Sequence, residues 1–240
     1  MKKASEMILP LLLAAAVLQI CTVSFFRYRA AVQAAALERQ PVRVVIDAGH
    51  GGEDGGAVTA QGVRESGINL AISLRVRDLL AFCGVQPVMI RQTDTMVYSG
   101  ECRSISEKKV SDLKNRAKTV NETPNALLLS IHQNHFSQEK YHGAQVFYAK
   151  TEGSHAFAEQ MQTCLRECVE PENRRQCKLS QSVYLLENVR CTGILIECGF
   201  LSNPSEADRL VTEDYQKKLT AAVCGATVRY IATEGDNYEV

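Results

Sequence analysis

Three apolar runs of strand length constrain this 240-residue chain most: Val42–Ile46, Ala126–Ile131 and Gly193–Ile196. They lack the polar alternation of a half-solvated strand, so each is expected to be buried on both faces of a sheet. Between them, apolar residues recur at helical spacing. From Ser66 to Phe82 they are Ile68, Ala71, Ile72, Val76, Leu79 and Leu80, and Leu113, Ala117 and Val120 mark a second helix. Ala156–Leu165, a helical turn opening at Pro204, and Tyr215–Ile231 supply the remaining helices. Gln86–Ile90, Gly143–Tyr148 and Val183–Leu186 read as further strands, while Thr93–Lys109 and residues 170–178 read as surface loops. Strands alternating with helices imply βαβ units. The expected fold is a single α/β domain whose twisted, mainly parallel sheet of about six strands carries helices on both faces.

The amino terminus departs from this pattern. Lys2 and Lys3 precede an apolar stretch from Met7 to Phe26, and Arg27 and Arg29 close it. About 20 apolar residues suffice to cross a bilayer as a helix. Ala14-Ala15-Ala16 offers the small residues of a cleavage site, but the apolar run continues past them, which favours an uncleaved anchor over cleaved secretion. The expected organisation is a transmembrane signal anchor over 1–29, a linker over 30–41, a catalytic domain over 42–232 outside the cytoplasm, and an acidic tail over 233–240. The 27 basic and 27 acidic residues cancel, so nothing marks a polyanion-binding surface and no nucleic-acid partner is expected. Of nine cysteines, Cys21 lies in the anchor, and the spacings of the other eight form no compact disulfide framework. Cys164 and Cys168, one helical turn apart, read either as half a metal site or as small hydrophobes, and the second is preferred.

The apolar runs deliver polar residues at their carboxyl ends. Val42–Ile46 leads into Asp47-Ala48-Gly49-His50-Gly51-Gly52, Ala126–Ile131 into His132-Gln133-Asn134, and Gly193–Ile196 into Glu197. Arg64-Glu65 follows the glycine loop 49–56; at a helix start the dipole alone would favour Glu65. In parallel α/β sheets functional residues gather beyond the carboxyl ends of the strands. A histidine or carboxylate at the end of a buried strand is costly unless it has a partner. Two imidazoles and two carboxylates at one sheet edge match a catalytic zinc site: three hold the metal, a coordination position stays open for water, and the fourth moves protons. A phosphate-cradling loop is disfavoured, since the glycine order fits neither the dinucleotide fingerprint nor the P-loop and its acids would repel phosphate. Asp47 and Asp54 could fix an imidazole tautomer, and Asn134 could orient a ligand or substrate. His135, His142 and His155 lie in polar segments and read as surface residues, with His135, close to the motif, a minor candidate for the site.

Together these segments resemble the zinc-dependent N-acetylmuramoyl-L-alanine amidases of cell-wall metabolism. The resemblance spans residues 43–231. It rests on Ile46-Asp47-Ala48-Gly49-His50-Gly51-Gly52, Arg64-Glu65, Leu113-Lys114-Asn115-Arg116 with Asn121, Ser130-Ile131-His132-Gln133-Asn134, Gly143-Ala144-Gln145-Val146-Phe147-Tyr148, and Glu197-Cys198-Gly199-Phe200-Leu201-Ser202-Asn203. It implies Zn2+ held by His50, Glu65 and His132, with Glu197 as the catalytic glutamate and Asp47, Arg116 and Asn134 supporting the ligands or meeting substrate. The implied reaction is hydrolysis of the amide joining the lactyl group of N-acetylmuramic acid to L-alanine, and the implied partner is a peptidoglycan glycan strand with its stem peptides. The chain is most similar to the germination-specific, spore-cortex branch, with its N-terminal membrane segment, its lack of wall-binding repeats and a polar insert, here Thr93–Lys109. In that branch peptide removal is the first step towards muramic δ-lactam, and a separate deacetylase is the pathway partner. The missing wall-binding module leaves room for an activator protein. Cys198 departs from the family pattern, where an aliphatic residue or threonine is usual. Two alternatives stand beside this reading. One is a zinc carboxypeptidase or endopeptidase acting on the stem peptide, weakened because no arginine pair for a terminal carboxylate stands out near the motifs. The other is a non-catalytic wall-binding protein, weakened by the intact set of ligands and base.

Overall fold

The computed structural model of the protein describes residues 15–29 and 41–236, and the chain divides into two units between Pro41 and Val42. In the first, residues 15–29 form helix α1, whose side chains are exposed. The rest of the expected anchor, and the linker up to residue 40, lie outside the described residues. Among the described residues no helix is long and apolar enough to cross a membrane.

The second unit runs β1 (Arg43–Ala48), α2 (Glu65–Phe82), β2 (Gln86–Met89), α3 (Ile105–Glu122), β3 (Ala126–Asn134), β4 (Gln145–Tyr148), α4 (Ser154–Cys168), β5 (Lys178–Leu179), α5 (Tyr184–Asn188), β6 (Gly193–Phe200), α6 (Pro204–Leu210) and α7 (Glu213–Asp236). The six strands form one sheet in the order β2-β1-β3-β6-β4-β5, parallel except where β4 meets β6 antiparallel. The mainly parallel α/β expectation holds.

Alternation along the central strands explains why these runs are apolar on both faces, broken only by Arg43 and Ser130. Val44, Ile46, Leu127, Leu129, Ile131, Ile194 and Ile196 pack into one core under α2, α4 and α7. Val45, Leu128 and Leu195 point the other way, into a second core with Ala117 and Val120 of α3 and Leu185 and Leu186 of α5. Both faces are therefore dry, and a polar side chain in these strands has to find a partner at the sheet's carboxyl edge.

Several elements differ from the sequence reading. Val183–Leu186 is not a strand: Tyr184–Asn188 is a short helix, α5, that buries Leu185 and Leu186. A four-residue apolar run carries no periodicity that separates the two forms. Lys178–Leu179 pairs with β4 as an exposed edge strand at the end of what reads as a charged loop over 170–178. The polar insert is shorter than Thr93–Lys109, because α3 starts at Ile105, where the Ser104 hydroxyl accepts from the Glu107 N–H at 3.2 Å. His132 and Glu197 lie within β3 and β6 rather than beyond them. Helix α7 continues to Asp236, so the first residues of the expected tail are helical; residues 237–240 lie outside the described residues.

Candidate metal centre

The loop after β1 brings His50 to the edge in a conformation that needs support. His50 has φ 59°, in the left-handed region, and Gly51, Gly52 and Gly56 follow with φ of 146°, 55° and 67°. A non-glycine residue there costs on the order of 1–3 kcal/mol, which surrounding structure has to offset. Arg116 of α3 does this: Nη2 donates to the His50 carbonyl at 2.7 Å and Nη1 to the Ala48 carbonyl at 2.9 Å. The same buried guanidinium pairs with Asp47 and Asp112. From the other side Arg91 donates through Nε to the Ala48 carbonyl at 2.7 Å and through Nη2 to the Gly49 carbonyl at 2.9 Å.

Glycine at 49 and 56 is a matter of space. A Cβ on Gly49 would stand 2.2 Å from the His132 ring, and one on Gly56 would stand 2.5 Å from Glu65 Oε2 and 2.7 Å from the His50 ring. The backbone closes over the ligand side chains with no room for a methyl group.

Glu65, the first residue of α2 and buried, is the hub. Its Oε1 accepts from the Gln133 N–H at 3.0 Å and from Asn69 Nδ2 at 3.1 Å, and Oε2 accepts from the Ala57 N–H at 2.9 Å. His132 Nδ1 lies 3.2 Å from Oε1 and His50 Nε2 lies 3.3 Å from Oε2. Burial alone would raise the pKa of Glu65; the His132 hydrogen bond, both imidazole charges and the Ala57 amide overcome it and bring the group down to about 2. Glu65 is thus a dedicated anion and not merely a helix-start acid. Asp54 Oδ2 sits 2.9 Å from His50 Nδ1, and Lys109 Nζ holds the other oxygen, Oδ1, at 2.7 Å, which directs the Nδ1 proton to Asp54 and turns the Nε2 lone pair towards Glu65. Donor atoms of His50, Glu65 and His132 all lie within 4.8 Å of one another. Two imidazoles and one carboxylate converging in this way could hold a metal ion, and the chemistry of the donor set fits catalytic zinc.

Sheet register places Glu197 beside them. Glu197 pairs with His132 across β3 and β6, and with Gln145 across β6 and β4. Its Oε2 is buried and has no hydrogen-bond partner among the described residues. Burial, reinforced by the Glu65 charge and only partly opposed by the two imidazoles, pushes it up to about 7. A carboxylate oxygen left without a donor beside a convergent donor set is poised to take a proton.

The fold therefore gathers His50, Glu65, His132 and Glu197 at one edge. Asp47 does not reach an imidazole as anticipated: its carboxylate bonds Arg116 and the Ser130 hydroxyl, the latter at 2.6 Å. Asp54 fixes the tautomer, and Asp47 anchors the arginine beneath the loop. Asn134 ends β3 just past a bulge, and its carbonyl accepts from the Leu201 N–H at 2.8 Å. His135, His142 and His155 are exposed. Cys198 is buried in the apolar core, where burial raises its thiol, and it is not among the convergent donors. All nine cysteines are free, and Cys164 and Cys168 approach to 3.9 Å between sulfurs. Arg91 and Asn69 escaped the sequence reading, and Gln133 stood in a motif without a role, since each acts through acceptors that only the fold brings near. An arginine pair, Arg174-Arg175, also approaches the motifs: the Arg175 guanidinium stacks on Phe200 at 4.5 Å and bonds Gln145.

Known proteins share this sequence pattern and fold. The sequence family described as N-acetylmuramoyl-L-alanine amidase matches residues 44–228. The germination-specific N-acetylmuramoyl-L-alanine amidase of Bacillus subtilis is 38% identical over 194 residues, which cover 80% of this chain and 81% of that one. The N-acetylmuramoyl-L-alanine amidase LytC of the same organism is 30% identical, over 78% of this chain and 35% of its own length. Among solved structures, the CwlD amidase of Clostridioides difficile in complex with the GerS lipoprotein superposes with a TM-score of 0.77 at 35% identity, covering 80% of this chain and 99% of that one. Sequence and fold agree, and the chain belongs to the N-acetylmuramoyl-L-alanine amidase family of enzymes.

Proposed function

We propose that the protein uses zinc to hydrolyse the amide between N-acetylmuramic acid and L-alanine in peptidoglycan, and that it does so in the spore cortex. The observation that carries the catalytic reading is the unpartnered Glu197 oxygen beside the convergent donors of His50, Glu65 and His132. These three residues would hold the ion, which supplies Lewis acidity and acidifies water when bound. Glu65, ionised down to about pH 2, keeps the donor set anionic by one charge, and Asp54 keeps His50 in the tautomer that donates its Nε2 lone pair. Glu197 accepts the proton of the attacking water and returns it to the amine of the departing alanine. The Arg116 and Arg91 hydrogen bonds hold the His50 loop in place.

The spore role is supported by the likeness to the germination-specific enzyme of Bacillus subtilis. Peptide removal would there be the first step towards muramic δ-lactam, completed by a deacetylase. The apolar amino terminus supports a membrane anchor with the domain outside the cytoplasm. The solved relative in complex with a lipoprotein supports an activator partner. Cortex from sporulating cells that lack the protein is expected to keep its stem peptides and to lose muramic δ-lactam in muropeptide profiles; an unchanged δ-lactam content would remove the sporulation reading.

A further inference from the structure

Beyond the four residues at the metal centre, one more group lies in line with them. The register across three strands sets His132, Glu197 and Gln145 side by side in a row along the carboxyl edge of the sheet. Directly opposed residues on neighbouring strands present their side chains to the same face about 5 Å apart. Arg175 continues that row: its Nη1 donates to Gln145 Oε1 at 3.0 Å. The guanidinium is fixed twice more, by Nε donating to the His142 carbonyl at 2.7 Å and by stacking on Phe200, three residues after Glu197. Its Nη2 has no hydrogen-bond partner among the described residues. Arg175 lines a cavity of about 370 Å³ together with Arg174, Lys140, His142 and Tyr141. Glu172 is the acid in this lining; it is exposed and pairs with Arg174 at 3.6 Å. The cavity is therefore cationic, on a protein whose net charge is zero.

A guanidinium with two nitrogens committed to the fold and one left over is pre-organised for an anion, because little rotamer freedom remains to be lost. We infer that Arg175, with Arg174 and Lys140 around it, is a carboxylate-binding subsite that recognises an acidic group of the stem peptide one side chain away from the scissile amide. The inference rests on the amidase reading. In the uncleaved substrate the lactyl carboxyl is masked as the scissile amide and the acetylated sugars joined to it carry no other charge, so the carboxylates beside that amide belong to the peptide. The subsite sets which peptides are accepted, and Glu197 sets the chemistry.

The test uses the zinc-loaded full chain and a pair of synthetic muramoyl-L-alanyl-D-glutamyl peptides, one with the glutamyl α-carboxylate free and one with it converted to carboxamide. A charge-assisted hydrogen bond of this kind is expected to favour the free acid by roughly 10–100-fold in kcat/KM. Arg175→Met is expected to shrink that preference at least tenfold. The exposed double variant Arg174→Gln/Lys140→Gln, which leaves the stacked guanidinium in place, is expected to shrink it by a smaller factor that disappears at high salt. If Arg175→Met fails to fold, the double variant decides the matter. A wild-type enzyme that cleaves both peptides equally, or a preference unchanged in the variants, overturns the subsite and leaves the amidase reading standing. Cleavage of neither peptide overturns both.

Discussion

Glu197→Gln is expected to keep its fold and its zinc while losing about 10²–10⁴-fold in turnover of muramoyl-peptide, the range for removing a general acid–base group. Gln145 and His132 flank the position in register, and none of the three proposed ligands changes, so metal content by atomic absorption should match wild type. The sign of the pH effect follows from the same residue. Burial raises the Glu197 carboxyl to about 7, and only its ionised form accepts a proton, so kcat/KM should fall as pH drops through that pKa. A cation in the site would draw the limb to lower pH. The glutamine variant should lack that acid limb altogether. Near-normal turnover in it would take Glu197 out of the mechanism.

The second large effect concerns stability. Arg116 is buried, pairs with Asp47 and Asp112, and donates to the carbonyls of Ala48 and His50. Arg116→Met would leave two carboxylates without their cation and the His50 carbonyl without its donor, while the Ala48 carbonyl keeps its bond from Arg91. Removing one partner from a buried ion pair costs about 3–5 kcal/mol, which in a domain of this size lowers Tm by roughly 10 °C. The cost should vary with pH. Burial alone would raise Asp47, but the Arg116 charge and the bonds from Ser130 and Arg116 hold it below its usual 3.8. Its stabilising contribution is therefore complete well above pH 3.8 and is lost as pH falls below that value. Urea unfolding of both proteins at pH 7 and pH 3 measures this: the gap between them should narrow in acid. An equal gap at both pH values would mean that the Asp47–Arg116 pair contributes little.

The central strands were legible in the sequence because they are buried on both faces, and a dry strand writes itself as an apolar run. Val44 to Ile46, Leu127 to Leu129 and Ile194 to Ile196 carry that signal directly. So do the residues ending those runs, because a polar group at the edge of a dry sheet needs a reason to be there. Tyr184–Asn188 and Lys178–Leu179 were not legible. The first is a short helix with two buried leucines, too short to show a helical period, and the second is an exposed edge pair whose register is set by β4. At the site, Glu65 reads along the chain as an ordinary helix-start acid; only the fold brings Gln133, Asn69, Ala57 and both imidazoles onto its oxygens. The choice between Asp47 and Asp54 as His50's partner depends on which way the loop turns after Ala48. That turn is held by Arg116, 66 residues further on from His50, and spacing along the chain does not reveal it.

Mass spectrometry of peptidoglycan digested by the purified protein tests the central claim most directly, run once with the zinc-loaded enzyme and once after stripping with a chelator. The expected result is intact stem peptides beginning with L-alanine and glycan fragments bearing free lactyl carboxylates, both absent after chelation and restored by zinc. Shortened stem peptides still joined to muramic acid would contradict it and identify a peptidase instead.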